Sequence, residues 1–181
     1  MRLGALEQGH RERLREILDA TAVFRHDEID VALELFDDTF ENRRQPLESR
    51  DASGHARLPS LDSAPSDYEF VGAFSAEGDL AGYACYGATP GTDRTYDLYW
   101  IAVHPRYQGQ GDGSRLLGEV ERQLQARGAR LLVVETSSRD MYAPTRGFYQ
   151  NHGYQQVARV RDYYDIADDR VIYLKRMEVR S

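Results

Sequence analysis

The chain has 181 residues, 41% of them hydrophobic and 10% aromatic, which suits one globular domain able to bury a core without disulfides or metals. Its formal charge of −7 argues against a general polyanion-binding surface, so no nucleic acid is expected as partner, and no apolar run approaches the roughly 20 residues of a membrane span. The single cysteine, Cys85, precludes an internal disulfide, and the opening "MRLGALEQGHRERLREIL" lacks the apolar centre of a secretory signal, so a cytoplasmic protein is expected.

In chain order, Leu3 hints at a first strand too short to define. Leu6, Leu14, Ile17 and Leu18 lie among charges, as on an exposed helix. "HDEIDVALELFDDTF" repeats that pattern, with Ile29, Leu33, Leu35 and Phe36 on or near one face and His26 or Asp27 placed to cap its start. Residues 41–67 show no period and are rich in Ser, Pro, Asp and Arg, which predicts a long loop, either mobile or a lid over a site. "YEFVGAFS" and "DLAGYACYGAT" read as two strands joined by the hairpin signal "AEGD", and "TYDLYWIAVHP" as a third strand closed by Pro105. Leu116, Leu117, Val120 and Leu124 then mark one face of a helix that Gly128 stops. "RLLVVETS" is a short continuous apolar run, as expected of a strand buried on both faces. "PTRGFYQNHGY" makes a short helix ended near Gly153, and "QQVARVRDYY" and "RVIYLKRM" pair antiparallel across "DIADD". The order predicts an α/β (α+β) fold with a single mixed sheet. One domain is expected, with helices in 1–40, the loop in 41–67 and the sheet core in 68–177.

The stretch "HPRYQGQGDGSRLL" leaves the backbone bare where a strand gives way to a helix. Between Val103 and the helix near Ser114 lie Gln108, Gly109, Gln110, Gly111, Asp112 and Gly113. The first N–H groups of a helix have no partner within it and carry the positive end of its dipole. Without side chains at 109, 111 and 113, a phosphate or pyrophosphate can touch those amides; a plain tight turn is the competing account. A Walker loop needs Gly-Lys-Ser/Thr, and no lysine is present here. The dinucleotide fingerprint has different spacing and belongs near the start of a chain. What remains is Gln/Arg-x-x-Gly-x-Gly/Ala after hydrophobic-x-Val-x-Pro, met by Gln108, Gly111 and Gly113.

On these residues the sequence resembles the GNAT superfamily of acetyl-CoA-dependent N-acetyltransferases, over about residues 68–177. "WIAVHPRYQGQGDGSRLL" is similar to its pyrophosphate motif, "VVETS" to the buried strand that follows, and "FYQNHGY" to the late helix motif Phe-Tyr-x-x-x-Gly-Phe/Tyr. The resemblance implies a strongly twisted sheet, splayed between the strands of Trp100 and Val133, with acetyl-CoA in the cleft. It implies coenzyme contacts from Ile101, Ala102, Val103, Gln108, Gly109, Gln110, Gly111, Asp112, Gly113, Ser114, Arg115, Tyr142 and Phe148. Two positions depart from the pattern. Tyr142 stands where many relatives carry an Asn, and Asp112 puts a carboxylate into the phosphate loop, where it is expected to point outward or meet free helix N–H groups.

Transfer to an amine needs the free base, although an alkylammonium has a pKa near ~10.4. The developing oxyanion needs a fixed N–H donor, for which the Val103 or Ile101 amide on a splayed strand is the expected source. The departing thiolate needs a proton. Tyr149 occupies the place of the family's motif tyrosine, which commonly supplies it; aromatic packing against Phe148 and Tyr154 is the alternative. For the base, Asp97 lies where histone acetyltransferases of this superfamily carry a catalytic glutamate, Glu135 on the next strand is the rival, and a water chain is the third option. His10, His26, His55 and His152 lack metal-ligand spacing, so no metal is expected, and Cys85 reads as packing rather than nucleophile. Tyr163 and Tyr164 resemble the acyl-site tyrosines on the hairpin of N-terminal protein acetyltransferases, and are expected to touch substrate. Asp162, Asp165, Asp168 and Asp169 would attract an ammonium group. The expected acceptor is a small amine or amino-acid-like molecule, with peptide or protein amines second. A non-catalytic CoA-binding regulatory module is the third reading, and either a monomer or a homodimer is compatible.

Overall fold

The computed structural model describes residues 1–44 and 68–177. The elements are β1 (Arg2–Gly4), α1 (Arg11–Thr21), α2 (His26–Arg44), β2 (Tyr68–Phe74), β3 (Leu80–Ala88), β4 (Thr95–Val103), α3 (Asp112–Ala126), β5 (Leu131–Ser137), α4 (Ala143–Asn151), β6 (Gln155–Asp165) and β7 (Asp168–Arg176). Short 3-10 turns at Gln8–His10, Pro105–Tyr107 and Asp140–Tyr142 precede α1, α3 and α4. The expected element order holds, with the first strand real but only three residues long.

The strands form one sheet in the order β1-β2-β3-β4-β5-β7-β6. All neighbours are antiparallel except β4 and β5, whose parallel pairing is made possible by the α3 crossover. Helices cover both faces. On one, Leu14, Ile17 and Leu18 of α1 and Ile29, Leu33 and Phe36 of α2 pack with Phe74, Leu80, Tyr83, Cys85 and Ala102. On the other, the Leu116, Leu117, Val120 and Leu124 stripe of α3 packs with Ala84, Tyr86, Leu98, Leu132, Val134 and Tyr173, joined by Tyr149 of α4. Each such side chain taken fully out of water contributes about 1.5–3 kcal/mol before chain entropy is counted.

Several local expectations are corrected. Neither His26 nor Asp27 caps α2; both lie within its first turn, and the Glu28 carboxylate accepts from the Arg25 N–H at 2.8 Å. The helix runs on through Arg44, four residues into the expected loop; residues 45–67, with any lid, lie outside the described residues. In β5, Leu132, Val134 and Thr136 are buried, but Val133 is only half-buried and Glu135 is exposed. The α1/α2 layer stops short of this strand, so one of its faces opens onto a cleft instead of a core. The last hairpin turns on Ile166 and Ala167 alone, because Asp165 pairs with Asp168, and Ala167 takes the left-handed conformation at φ 63°. Among the described residues no helix is long and apolar enough to cross a membrane.

What positions the site is a parting in the sheet. β4 and β5 are in register from Thr95/Leu131 to Leu98/Val134 and no further, while the rest of β5 stays paired with β7. At the same point the β3–β4 register slips: Cys85 faces Trp100 and Tyr86 faces Leu98, leaving Tyr99 as the extra residue of a bulge. A bulge bends its strand and raises the local twist, and here it turns the end of β4 away from β5.

Candidate active site

Beyond the bulge, the His104 N–H donates to the Ala81 carbonyl at 2.8 Å. Successive residues of an antiparallel strand turn their backbone groups to opposite edges, so Trp100 and Ala102 face β3 while Ile101 and Val103 face the parting. The Val103 carbonyl there accepts from Gln108 Nε2 at 2.8 Å. The N–H groups of Ile101 and Val103 face the gap that β5 has vacated.

The loop that follows leaves its backbone open. After the Pro105–Tyr107 turn, Gly109 and Gly111 adopt φ of 76° and 84°, a conformation that ordinary residues avoid, with nothing within 4 Å of where a Cβ would stand. The Arg115 N–H donates to the Gly111 carbonyl at 3.0 Å, and the N–H groups of residues 109–114 donate to no other backbone group among the described residues. They collect at the positive end of the 15-residue α3. Gly113 has an ordinary φ, and a Cβ on it would lie 3.6 Å from the Phe148 ring, which fixes α3 against α4.

Asp112 behaves differently from expectation. Its side chain is turned inward and is 1% exposed, with Oδ1 3.4 Å from Arg115 Nη1 and Oδ2 without a partner. It neither points outward nor caps the free N–H groups; Arg115, one turn on, offsets its charge. Ser114 is instead tied to α4. His152 Nδ1 lies 2.7 Å from the Phe148 carbonyl and Nε2 2.9 Å from Ser114 Oγ. A carbonyl only accepts, so Nδ1 carries a proton, and in the neutral ring Nε2 accepts from the Ser114 hydroxyl. This role of His152 is one that residue spacing does not reveal.

A cavity of about 560 Å³ occupies the parting and the face of β5 left open. Asp97, Ile101, Ala102, Val103, Gln108, Glu135, Tyr142, Tyr149 and Tyr164 all line it, so the sequence-expected groups from β4, β5, α4 and the last hairpin converge. Tyr149 is 4% exposed and packs on Phe148, Tyr154 and Tyr173, yet its hydroxyl has no hydrogen-bond partner among the described residues. Burial pushes its phenol well above the usual range, so it stays protonated. Tyr142, at the Asn position, does not reach for a ligand; its hydroxyl donates to the Val23 carbonyl between α1 and α2 at 3.1 Å. Burial raises its pKa to about 12.

The two carboxylates considered as base differ in their company. Glu135 is held in an ion pair by Arg170. Asp97, at the closed end of the parting, accepts from the neutral Thr89 hydroxyl at 2.6 Å. Its charge, after burial, helps push the Tyr99 phenol upward. Tyr164 faces the cavity, whereas its neighbour Tyr163 is 51% exposed, and its hydroxyl accepts from Arg170 Nη1 at 3.0 Å. The hairpin aspartates are mostly engaged locally. Asp169 pairs with Arg159 and accepts from the Asp162 N–H, and Asp162 and Asp165 accept from turn amides. Only Asp168 lines the cavity, accepting from the Ser137 hydroxyl and pairing with Arg139 Nε at 3.0 Å. Thr136 was not anticipated: its buried hydroxyl, also without a partner, borders the same cavity. Among the described residues no three metal-binding side chains converge.

Comparison with known proteins agrees with this geometry. The model of the acetyltransferase (GNAT) family matches residues 29–154. A crystal structure from Desulfovibrio desulfuricans assigned to the GNAT family is 38% identical, and each chain is 98% covered at a TM-score of 0.80. A Salmonella typhimurium structure containing its cofactor acetyl-CoA shares the fold at 16% identity, covering 100% of this chain and 96% of that one at a TM-score of 0.69. An uncharacterised Mycobacterium leprae protein is 35% identical over 114 residues, 61% of this chain; the match spans 29% of that relative's length.

Proposed function

The chain belongs to the acetyltransferase (GNAT) family, and on that basis we propose that it transfers an acetyl group from acetyl-CoA to a primary amine by direct attack, the acceptor being a small molecule. The observation that carries this reading is the run of unpartnered N–H groups at residues 109–114, leading straight to the parted edge of β4. These residues fit the coenzyme: Gly109 and Gly111 leave open the space that a diphosphate would take, and Gln108, Ser114 and Phe148 border that space or fix its walls. The coenzyme supplies a thioester-activated acetyl group and a thiol leaving group.

The protein's own groups divide the remaining work. Ile101 and Val103 present N–H donors to a carbonyl oxygen that gains charge, a contribution worth about 3–4 kcal/mol where one such donor has been removed from other enzymes. Tyr149 holds a proton on a hydroxyl that no other described residue competes for, and passes it to the departing sulfur. Asp97 receives the ammonium and takes its proton, directly or through water. It is favoured over Glu135 because Arg170 already occupies the Glu135 carboxylate, which holds Glu135 as a structural anion.

The test is to titrate the purified protein with acetyl-CoA by calorimetry, then incubate both with a panel of amines and follow free thiol and acetylated product by mass spectrometry. Binding with product is the expected result. No detectable binding refutes the proposal, and binding without transfer to any amine would replace it by a non-catalytic coenzyme-binding role.

A further inference from the structure

The charges around the cavity say more about the acceptor than the fold does. Among the described residues the lining carries three arginines, Arg25, Arg139 and Arg170, and four carboxylates, Glu28, Asp97, Glu135 and Asp168. Each arginine is already matched. Arg25 Nη2 lies 3.9 Å from Glu28, Arg139 Nε 3.0 Å from Asp168, and Arg170 pairs with Glu135. Two of the three are shared further: Arg25 with Asp27 at 3.2 Å and Arg139 with Asp165 at 3.7 Å. Asp97 alone faces no cation, and its one partner is the Thr89 hydroxyl.

We propose that the acceptor is a monocationic amine with an apolar, preferably aromatic body and no carboxylate of its own, its ammonium seated at Asp97. This rests on the acetyl-transfer reading and narrows its substrate class. A single ammonium neutralises the one lining carboxylate that no cation meets. An α-amino acid would bring a carboxylate with no guanidinium among the described lining residues that lacks a carboxylate already. Arg170 gives its terminal nitrogens to Glu135 and to the Tyr163 hydroxyl, and its remaining Nε, though without a partner, is fully enclosed. A ligand carboxylate would have to evict Glu135 or Asp168, or sit beside them as a like charge. The rest of the lining suits an apolar body: Phe24, Tyr99, Trp100 and Met141 border the same space. Aromatic faces also favour a cation near them. The cavity volume falls within the range of small-molecule sites, and the acyl arm would share it, so the acceptor is compact.

Trp100 provides a direct readout, because it is the only tryptophan in the chain and lines the cavity. Its emission can be followed while 2-phenylethylamine, L-phenylalanine amide and L-phenylalanine are added in turn, with CoA saturating, and kcat/KM can be measured for the same three with acetyl-CoA. The two carboxylate-free amines are expected to bind and react about a hundredfold better than phenylalanine. Asp97→Asn keeps the side-chain shape and the Thr89 contact, and is expected to weaken binding of both amines about tenfold or more. Equal response to phenylalanine and its amide overturns the inference, as does unchanged amine binding in Asp97→Asn. Amine-selective quenching without any transfer would instead refute the acetyl-transfer reading and leave the charge argument standing.

Discussion

Replacing Gly111 by alanine separates the anion nest from mere turn formation. Gly111 sits at φ 84°, and nothing lies within 4 Å of the added methyl, so the folded state loses only what left-handed backbone costs an L-residue. That is about 1–2 kcal/mol. At about 2–4 °C per kcal/mol for a domain of this size, the melting temperature should fall by about 2–8 °C. Gly78, in the turn between β2 and β3, is the matched control: its φ is 93°, it too has nothing within 4 Å, and it lies on no wall of the cavity. Gly78→Ala should therefore cost about the same stability. The two variants part at the ligand. Gly111→Ala adds a methyl within the run whose N–H groups are free, and losing one charge-assisted hydrogen bond to the ligand there costs about 1.5–3 kcal/mol, about 10- to 150-fold in Kd. Differential scanning fluorimetry gives the first quantity and calorimetry with acetyl-CoA the second. Equal affinity in both variants, with Gly111→Ala as destabilised as expected, would refute the nest and leave a plain turn.

Tyr149→Phe removes a hydroxyl that has no partner to lose, so stability and acetyl-CoA affinity should hold while kcat drops about a hundredfold or more. Burial raises the Tyr149 pKa, so the neutral phenol persists below that raised value; the basic limb of the wild-type pH profile should not move across the ordinary assay range, and an unchanged kcat in the variant would eliminate its role as acid. Glu119, hydrogen-bonded by Arg122, is held at about 2 against an unfolded value of 4.5. A depressed carboxyl stabilises the fold above its unfolded pKa and loses that contribution as pH falls through the folded one. The stability gap between wild type and Glu119→Gln, measured by urea unfolding, should accordingly shrink from pH 5 to pH 2, and a constant gap would contradict the ion pair.

Periodicity carries much of the fold here. The Leu116, Leu117, Val120 and Leu124 stripe and the β-rich runs of β3 and β4 need no tertiary knowledge to be read, because their spacing alone selects helix or strand. The open backbone at 109–114 was legible because Gly109 and Gly111 carry no side chain to cover it. What escaped depends on partners far along the chain. Apolar composition in "RLLVVETS" does not say that the α1/α2 layer stops before β5, so Val133 and Glu135 were expected to be enclosed. The Glu135–Arg170 pair and the Tyr142–Val23 bond join residues 35 and 119 positions apart, and no local pattern encodes either. Tyr163 and Tyr164 show the limit at its sharpest. Adjacent strand residues point to opposite faces, and only the placed hairpin decides which of them meets the cavity.

The short β4–β5 ladder gives the molecule a mechanical seam. On one side of it stand β1 to β4 with α1, α2 and α3; on the other stand β5, β7 and β6 with α4. Four register pairs join the two blocks through the sheet, and side-chain bonds also cross between them: His152 to Ser114, and Tyr154 and Lys175 to Glu121, on the α3 side, and Tyr142 to Val23 on the α1/α2 side. The bite of the cleft thus depends on the few bonds that join the two blocks. Exchanging one of these clasps for a longer or shorter one would re-gauge the opening, and with it the separation of Asp97 on one block from Tyr149 on the other, and so change which acceptors pass.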